Sequence, residues 1–170
     1  LQDAFRADVP SVAGAFGRFD GSIVLADTVG ARTPPFVAGF LRTLADASAD
    51  LTRAGVSFRD DLGCATANSL VAAETGIDRV DASVAGIGTG AGRAATEEVI
   101  VATVTGGGDA GVATTETIPA CEDALRALDE SVDERKAVLG AGASGDGSGT
   151  ESGMDDAAAF RAYDPSTFGG

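Results

Sequence analysis

The chain has 170 residues, of which 44% are apolar, so it is long enough for one compact domain or slightly more. Its 26 acidic and 12 basic residues give a net charge of −14. This charge argues against a nucleic acid or an anionic membrane surface as a partner, because no basic stripe can neutralise phosphates. No apolar run approaches the roughly 20 residues that a membrane span needs.

Short apolar runs alternate with helical patterns over the first hundred residues. In chain order, the predicted elements are a strand at 22–26, a helix of about twelve residues opening at 33–35, a strand at 55–58, a helix at 68–75, a strand at 79–84 and a helix at 94–104. Gly76 ends the second of these helices. The alternation predicts βα units around a parallel sheet, which is either a barrel or a doubly wound sheet.

The pattern changes after about residue 105. One more helix is predicted at 117–128, and the segment 140–153 consists mostly of glycine, serine, alanine and acidic residues. We therefore predict two parts, an α/β part at 1–105 and a helical linker with the start of another subdomain at 106–170.

A glycine-rich loop, residues 86–92, follows the third predicted strand and fits G-x-G-x-x-A. Dinucleotide-binding folds use this pattern to bring a pyrophosphate to a helix N-terminus. Such a site normally opens its domain, whereas this strand is the third. The acid expected about 20 residues further on is Asp109, which lies among glycines. A helix start that accepts some other anion is the broader interpretation.

Two acidic residues, Asp60 and Asp61, come directly after the second strand. Paired carboxylates at this position can bind a metal ion or exchange a proton. Acidic residues are also simply favourable in the first turn of a helix. Nearby Cys64 has no histidine to activate it, since the chain contains none, and is predicted to be a small buried residue.

Cysteine and charge content indicate a compartment. Cys64 and Cys121 fit a reduced, cytoplasmic protein better than a disulfide scaffold. Lys136 is the one lysine, and an acidic, lysine-poor surface stays hydrated when salt screens its charges, which favours a halophilic cytoplasm. An ordinary acidic protein from a GC-rich genome is the alternative.

Seven phrases together resemble one protein family in order and spacing. They lie at 2–8, 26–34, 57–70, 86–99, 136–140, 151–154 and 160–169. The most specific is SFRDDLGCATANSL at 57–70, which is similar to H-x-H-[ND]-D-L-G-x-A-x-A-N-S-L. The family is that of the isopropylmalate, homocitrate and citramalate synthases, which are metal-dependent barrels related to HMG-CoA lyase.

The resemblance implies a partial (β/α)8 TIM barrel, from the end of strand five through strand eight, followed by a short helical and loop subdomain. It also implies an acyltransferase that condenses acetyl-CoA with a 2-oxo acid in amino-acid or organic-acid biosynthesis. In the family, a divalent ion such as Mg²⁺, Mn²⁺ or Zn²⁺ chelates the oxo acid and polarises its ketone.

Several site positions depart from the family pattern. The positions of the metal ligands carry Ser57, Arg59 and Arg93, and the strand-five acid is replaced by Gln2. By resemblance, Thr28 and Asp61 contact the oxo acid. The glycine loop, with Gly86, Gly88, Gly90 and Gly92, lies on the side of the anion or CoA. Because arginine stays protonated and cannot ligate a cation, no metal is expected in this chain.

Two functions remain open at this point. One is a divergent acyltransferase, whose missing strands come from another chain. The other is a non-catalytic half barrel that binds organic acids or a synthase partner, with Arg59 and Arg93 holding carboxylates directly. A half barrel exposes sheet edges and is expected to expose an apolar interior, so we predict self-association or a chain that completes it.

Overall fold

The computed structural model describes residues 1–144 and 162–170. These residues form two compact units, Leu1–Ala95 and Thr96–Gly170. The units divide just before a helix at Thr96–Thr105, whereas the sequence placed the division at the end of that helix.

The first unit is built around three parallel strands in the order in which they occur along the chain. They are β1 at Ile23–Asp27, β2 at Ala54–Phe58 and β3 at Arg79–Asp81. Ile23 pairs with Ala54 at one end of the β1–β2 ladder and Asp27 with Phe58 at the other. The helices of this unit are α1 at Val9–Arg18, α2 at Pro34–Asp46 and α3 at Ala65–Glu74. Neighbouring parallel strands joined through helices agree with the predicted segment of a (β/α)8 barrel.

Strand β1 alternates buried and half-buried residues, so one of its faces packs into the core of the unit. Leu25 is fully buried, and its neighbours Val24 and Ala26 are half-buried on the opposite face. Helix α2 contributes Leu41 and Leu44, which are fully buried, to the core of the unit. The ring of Phe5 lies 5.1 Å from the rings of both Phe40 and Phe58, so the N-terminal turn is packed onto α2 and β2.

The second edge of β1 is partly occupied by the first residue of the chain. The amino group of Leu1 donates to the Val24 carbonyl at 2.6 Å, and the Ala26 amide donates to the Leu1 carbonyl at 2.9 Å. This pairing lies on the side away from β2. It continues the sheet in the place expected for the end of barrel strand five.

Some element boundaries differ from the predictions. Helix α3 begins at Ala65 instead of residue 68, because the Asp60 carboxylate accepts the Ala65 amide at 2.7 Å and starts the helix earlier. Strand β3 ends at Asp81 instead of residue 84. Helix α1 was not predicted. It is capped by Asp8, which accepts the Ser11 amide at 2.9 Å, and this bond holds the pKa of Asp8 below its usual range.

The second unit contains α4 at Thr96–Thr105, α5 at Thr117–Leu128 and the short α6 at Ala141–Ser144. The bounds of α5 are those predicted from the sequence. Its core brings together Val101, Ile118, Val138 and Phe168. The phrase at 151–154 lies outside the described residues. In the parts of the chain that the structure describes, no helix is long and apolar enough to cross a membrane.

Candidate functional site

A pocket of about 470 Å³ opens at the carboxyl ends of β1 and β2, in the first unit. The predicted site residues that line it are Gln2, Thr28, Ser57, Arg59 and Arg93. Parallel strands point their carboxyl ends to one edge, and this edge is where barrel enzymes carry their sites. Asp61 and most of the glycine loop lie beside the pocket, outside its lining.

Arg59 is held by oxygen atoms on two sides. Its Nε and Nη2 donate to the two carboxylate oxygens of Asp61 at 2.9 and 2.8 Å, and its Nη1 donates to the Thr28 carbonyl at 3.1 Å. Since Asp61 meets it with both oxygens, the pair has the fork geometry of a strong charge-assisted contact. Arg59 and Asp61 therefore satisfy each other in this structure, and the binding of an organic acid by Arg59 stays a prediction.

Arg93 has a different set of partners from Arg59. Its Nη1 donates to the Ser57 hydroxyl at 2.6 Å, and Ser57 is itself buried at the end of β2. The backbones of Arg93 and Arg59 form an antiparallel bridge, which places Arg93 beside the second strand. Within residues 1–144 and 162–170, Arg93 forms no salt bridge. Arg93 thus brings a positive charge to the pocket, and Ser57 fixes one side of its guanidinium.

Asp27 ends β1, Thr28 follows it, and both residues line the pocket. The Thr28 hydroxyl donates to the Asp3 carboxylate. Asp27 is buried and accepts the amides of Gly30 and Arg32 at 3.1 and 3.0 Å, so its carboxylate stabilises the turn into α2. These bonds give Asp27 a structural role in that turn.

The glycine loop is folded mainly on itself. The Arg93 amide donates to the Gly86 carbonyl at 2.9 Å and the Gly92 amide to the Thr89 carbonyl at 3.2 Å. Gly90 has a φ of +67°, and a side chain there would overlap Nη2 of Arg59. Helix α4 begins only at Thr96, after Arg93 and Ala95 have formed backbone bridges to Arg59 and Ser83. The loop therefore does not lead directly into a helix, which the dinucleotide interpretation requires.

The face of the sheet that carries the pocket is mixed, and β1 contributes Val24 and Ala26 to it. Along β2 its positions are Gly55 and Ser57, and β3 contributes Arg79 and Asp81, which are paired at 3.3 Å. The predicted apolar interior is therefore found at β1, while β2 and β3 carry a glycine, a hydroxyl and an ion pair on the same face.

The donor set at the pocket does not fit a divalent cation. The two arginines carry permanent positive charges, and a guanidinium offers donors but no lone pair to a metal. Asp61 is neutralised by Arg59 at 2.8 Å. Among the residues that the structure describes, no group of three His, Cys, Asp or Glu side chains could hold a metal ion.

A second cluster of ionisable groups lies inside the second unit. Lys136 forms an ion pair with Glu98 and approaches the fully buried Glu97 at 3.7 Å. Cys121 Sγ lies 3.9 Å from the other Glu97 oxygen. Burial, and after it the Glu97 carboxylate, raises the pKa of the Cys121 thiol to about 11. Cys64 is partly exposed, contrary to its prediction as a buried residue.

Sequence reasoning did not assign a role to Asp3 or to the ion pair of Arg59 with Asp61. A signal for the pair was present, because residues two apart at a strand end lie on the same face. Asp3 gave no such signal, since it is separated from Thr28 by 25 residues.

Three parallel strands with intervening helices, and a pocket at their carboxyl ends, define the class of the first unit as part of a (β/α)8 barrel. A sequence model of the HMGL-like family matches residues 2–124. The chain therefore belongs to the HMGL-like family, which confirms the resemblance.

Curated relatives are longer than this chain. It is 34% identical to a 2-isopropylmalate synthase from Chromobacterium violaceum over 152 residues, which cover 84% of this chain and 30% of that protein. It is 37% identical to a 2-isopropylmalate synthase from Heliobacterium modesticaldum over 110 residues, 61% of this chain and 22% of that protein. The matched segments thus span 22% to 30% of the length of these relatives.

Solved structures show the same fold. The HMG-CoA lyase from Bacillus subtilis matches with a TM-score of 0.68 and 24% identity, over 79% of this chain and 50% of that one. An HMG-CoA lyase from Acinetobacter baumannii, in complex with coenzyme A and 3-methylmalate, matches with a TM-score of 0.64 and 21% identity, over 73% of this chain and 43% of that one.

Proposed function

We propose that this chain is a carboxylate-binding portion of a synthase barrel, which holds a small organic acid through Arg93 and without a divalent metal. The acid class is that of 2-oxo acids and citramalate-like hydroxy acids. The names of the related synthases support this class, as does the 3-methylmalate of the related lyase complex.

The geometry of Arg93 carries the proposal. Its Nη1 is fixed by the Ser57 hydroxyl at 2.6 Å, and both residues line the pocket of about 470 Å³. A pre-positioned guanidinium binds a carboxylate with two parallel hydrogen bonds, so it offers both charge and orientation. Thr28 lies in the same pocket, and because its hydroxyl proton is donated to Asp3, its oxygen can accept a hydrogen bond from the hydroxyl of a hydroxy acid.

The chemistry of the site favours binding over turnover. A condensation needs the ketone of the oxo acid to be polarised and the developing oxyanion to be stabilised. Arg93 can stabilise negative charge, and each carboxylate that the described residues bring to the pocket already has a partner. Asp27 accepts two backbone amides, Asp81 is paired with Arg79 at 3.3 Å, and the neighbouring Asp61 is paired with Arg59. The described residues therefore favour holding an anion over enolising acetyl-CoA.

Isothermal titration with pyruvate, 2-oxoisovalerate and citramalate in EDTA tests this function. We expect saturable binding of at least one acid to the wild-type chain. In Arg93→Met, the affinity should fall by about tenfold or more, since a charge-assisted hydrogen bond contributes about 1.5–3 kcal/mol. Arg42→Met is the matched control because Arg42 is an exposed residue of α2 that does not line the pocket, and the affinity of this variant should stay unchanged. Absence of binding by the wild type at every salt concentration would refute the proposal.

The second candidate is the acyltransferase reaction itself, completed by a chain that supplies the remaining strands. The edge of β1 supports it, because Val24 and Ala26 bond to Leu1 where a further strand would pair. Release of free thiol from acetyl-CoA, measured with each oxo acid and with Mg²⁺ or Mn²⁺, distinguishes the candidates. Thiol release that depends on the oxo acid would favour the enzyme.

A cytoplasmic setting with high salt is part of the same proposal. Cys64 and Cys121 are both free thiols, which suits a reducing compartment. The net charge of −14 suits a surface that is screened by salt.

A further inference from the structure

Arg59 lies in a position that is lined by oxygen atoms. Both Asp61 carboxylate oxygens and the Thr28 carbonyl surround its guanidinium at 2.8 to 3.1 Å. A bidentate carboxylate with a backbone carbonyl is also a typical arrangement around a hard cation. In this chain the positive charge is instead part of the protein.

Two glycines make room for this arrangement. A Cβ at Gly90 would overlap the Arg59 guanidinium, and a Cβ at Gly30 would lie 2.7 Å from Asp61 Oδ2. Both glycines have positive φ, of +67° and +65°, so the backbone turns there in a way that other residues rarely adopt. The contacts of Arg59 therefore connect the end of β1, the end of β2 and the glycine loop.

The ion pair of Arg59 with Asp61 is partly buried. The side chains of Arg59 and Asp61 are 29% and 34% exposed, whereas those of Arg79 and Asp81, the other pair on this face, are 52% and 45% exposed. Partial burial reduces screening and makes an unpartnered Asp61 more costly than an unpartnered Asp81.

We propose that the guanidinium of Arg59 is a built-in cation, which occupies the oxygen-lined position between Asp61 and Thr28 and excludes free cations from it. Its role is to position the loops around the pocket without a metal ion. This inference does not depend on the binding of organic acids, since Arg93 rather than Arg59 is the residue assigned to that function.

Removing the side chain and returning its charge tests the idea. In Arg59→Ala, the melting temperature should fall by about 5 °C, because a hydrogen-bonded ion pair is lost. Guanidinium chloride at about 10 mM, far below the molar concentrations that denature proteins, should restore at least half of this loss relative to equal sodium chloride. The wild type should show no such gain. An unchanged melting temperature in Arg59→Ala, or no recovery with guanidinium, would overturn the proposal.

Arg79→Ala is the matched control, since it removes an arginine from a more exposed pair and should not respond to guanidinium. A second measurement needs no variant. Submillimolar Mn²⁺ added to the wild-type chain should not selectively broaden the amide resonances of Thr28, Asp61 and Gly90. Selective broadening at these three residues would show that a free cation enters the position, and would overturn the inference.

Discussion

Gly90→Ala is the substitution that most sharply tests the packing around Arg59. The added Cβ would overlap Nη2 of Arg59, and the residue would keep a φ of +67°. An alanine at positive φ costs about 1 kcal/mol. Because the overlapped atom ends a flexible side chain, Arg59 can move aside, but it then loses hydrogen bonds to Asp61 that contribute about 1–2 kcal/mol at this exposure. The expected loss of unfolding free energy is about 2–3 kcal/mol.

Gly63→Ala provides the control for the backbone cost. Gly63 has a similar φ of +66°, and nothing lies within 4 Å of its added Cβ. Urea unfolding should therefore show a loss of only about 1 kcal/mol for Gly63→Ala. In an Arg59→Ala background, Gly90→Ala should also cost only about 1 kcal/mol, because the overlapping side chain is gone. If Gly90→Ala and Gly63→Ala destabilise the wild type equally, the contact between Gly90 and Arg59 is not energetically important.

Three further outcomes are expected. Leu41→Ala, which empties a fully buried position of α2, should lower the unfolding free energy by about 3 kcal/mol in urea titration, and a loss below about 1 kcal/mol would contradict the described core. In Cys64→Ser, the remaining Cys121 thiol should resist alkylation at pH 8, since its pKa is raised to about 11. The thiol of the unfolded chain ionises near 9.0, so the stability that the protonated Cys121 contributes is fully present below pH 9 and is lost as the pH rises toward 11. Rapid labelling at pH 8 would contradict it. The melting temperature should rise between 0.1 and about 1 M KCl, because salt screens repulsion within a chain of net charge −14, and a fall would argue against the halophilic interpretation.

Much of the fold could be predicted from local patterns. Helix α5 was bounded correctly because apolar residues recur at helical spacing between Thr117 and Leu128. Helix α2 was found from the prolines at its start. Helix α1 was missed, although Asp8 with Pro10 two residues later is a recognisable start signal. The early start of α3 was not predicted because it depends on the Asp60 carboxylate, whose orientation is fixed by the tertiary fold.

The pocket could be located from the sequence, but its electrostatics could not. Ser57, Arg59 and Arg93 were identified as replaced positions, and the structure brings them to one pocket. Their different roles depend on rotamers and on partners from distant parts of the chain. Arg59 reaches the Thr28 carbonyl 31 residues away, while Arg93 reaches Ser57 36 residues away. Only the contact of Arg59 with Asp61 is local enough to be predicted from a strand period of two.

The central claim is that this barrel site has exchanged a metal ion for fixed guanidinium groups. The measurement that tests it most directly compares the affinity of the wild-type chain for citramalate in EDTA and in millimolar Mg²⁺. The account predicts the same saturable binding under both conditions, because Arg93 supplies the charge that holds the acid. Binding that requires Mg²⁺ would contradict it and would show that the pocket still depends on a metal ion.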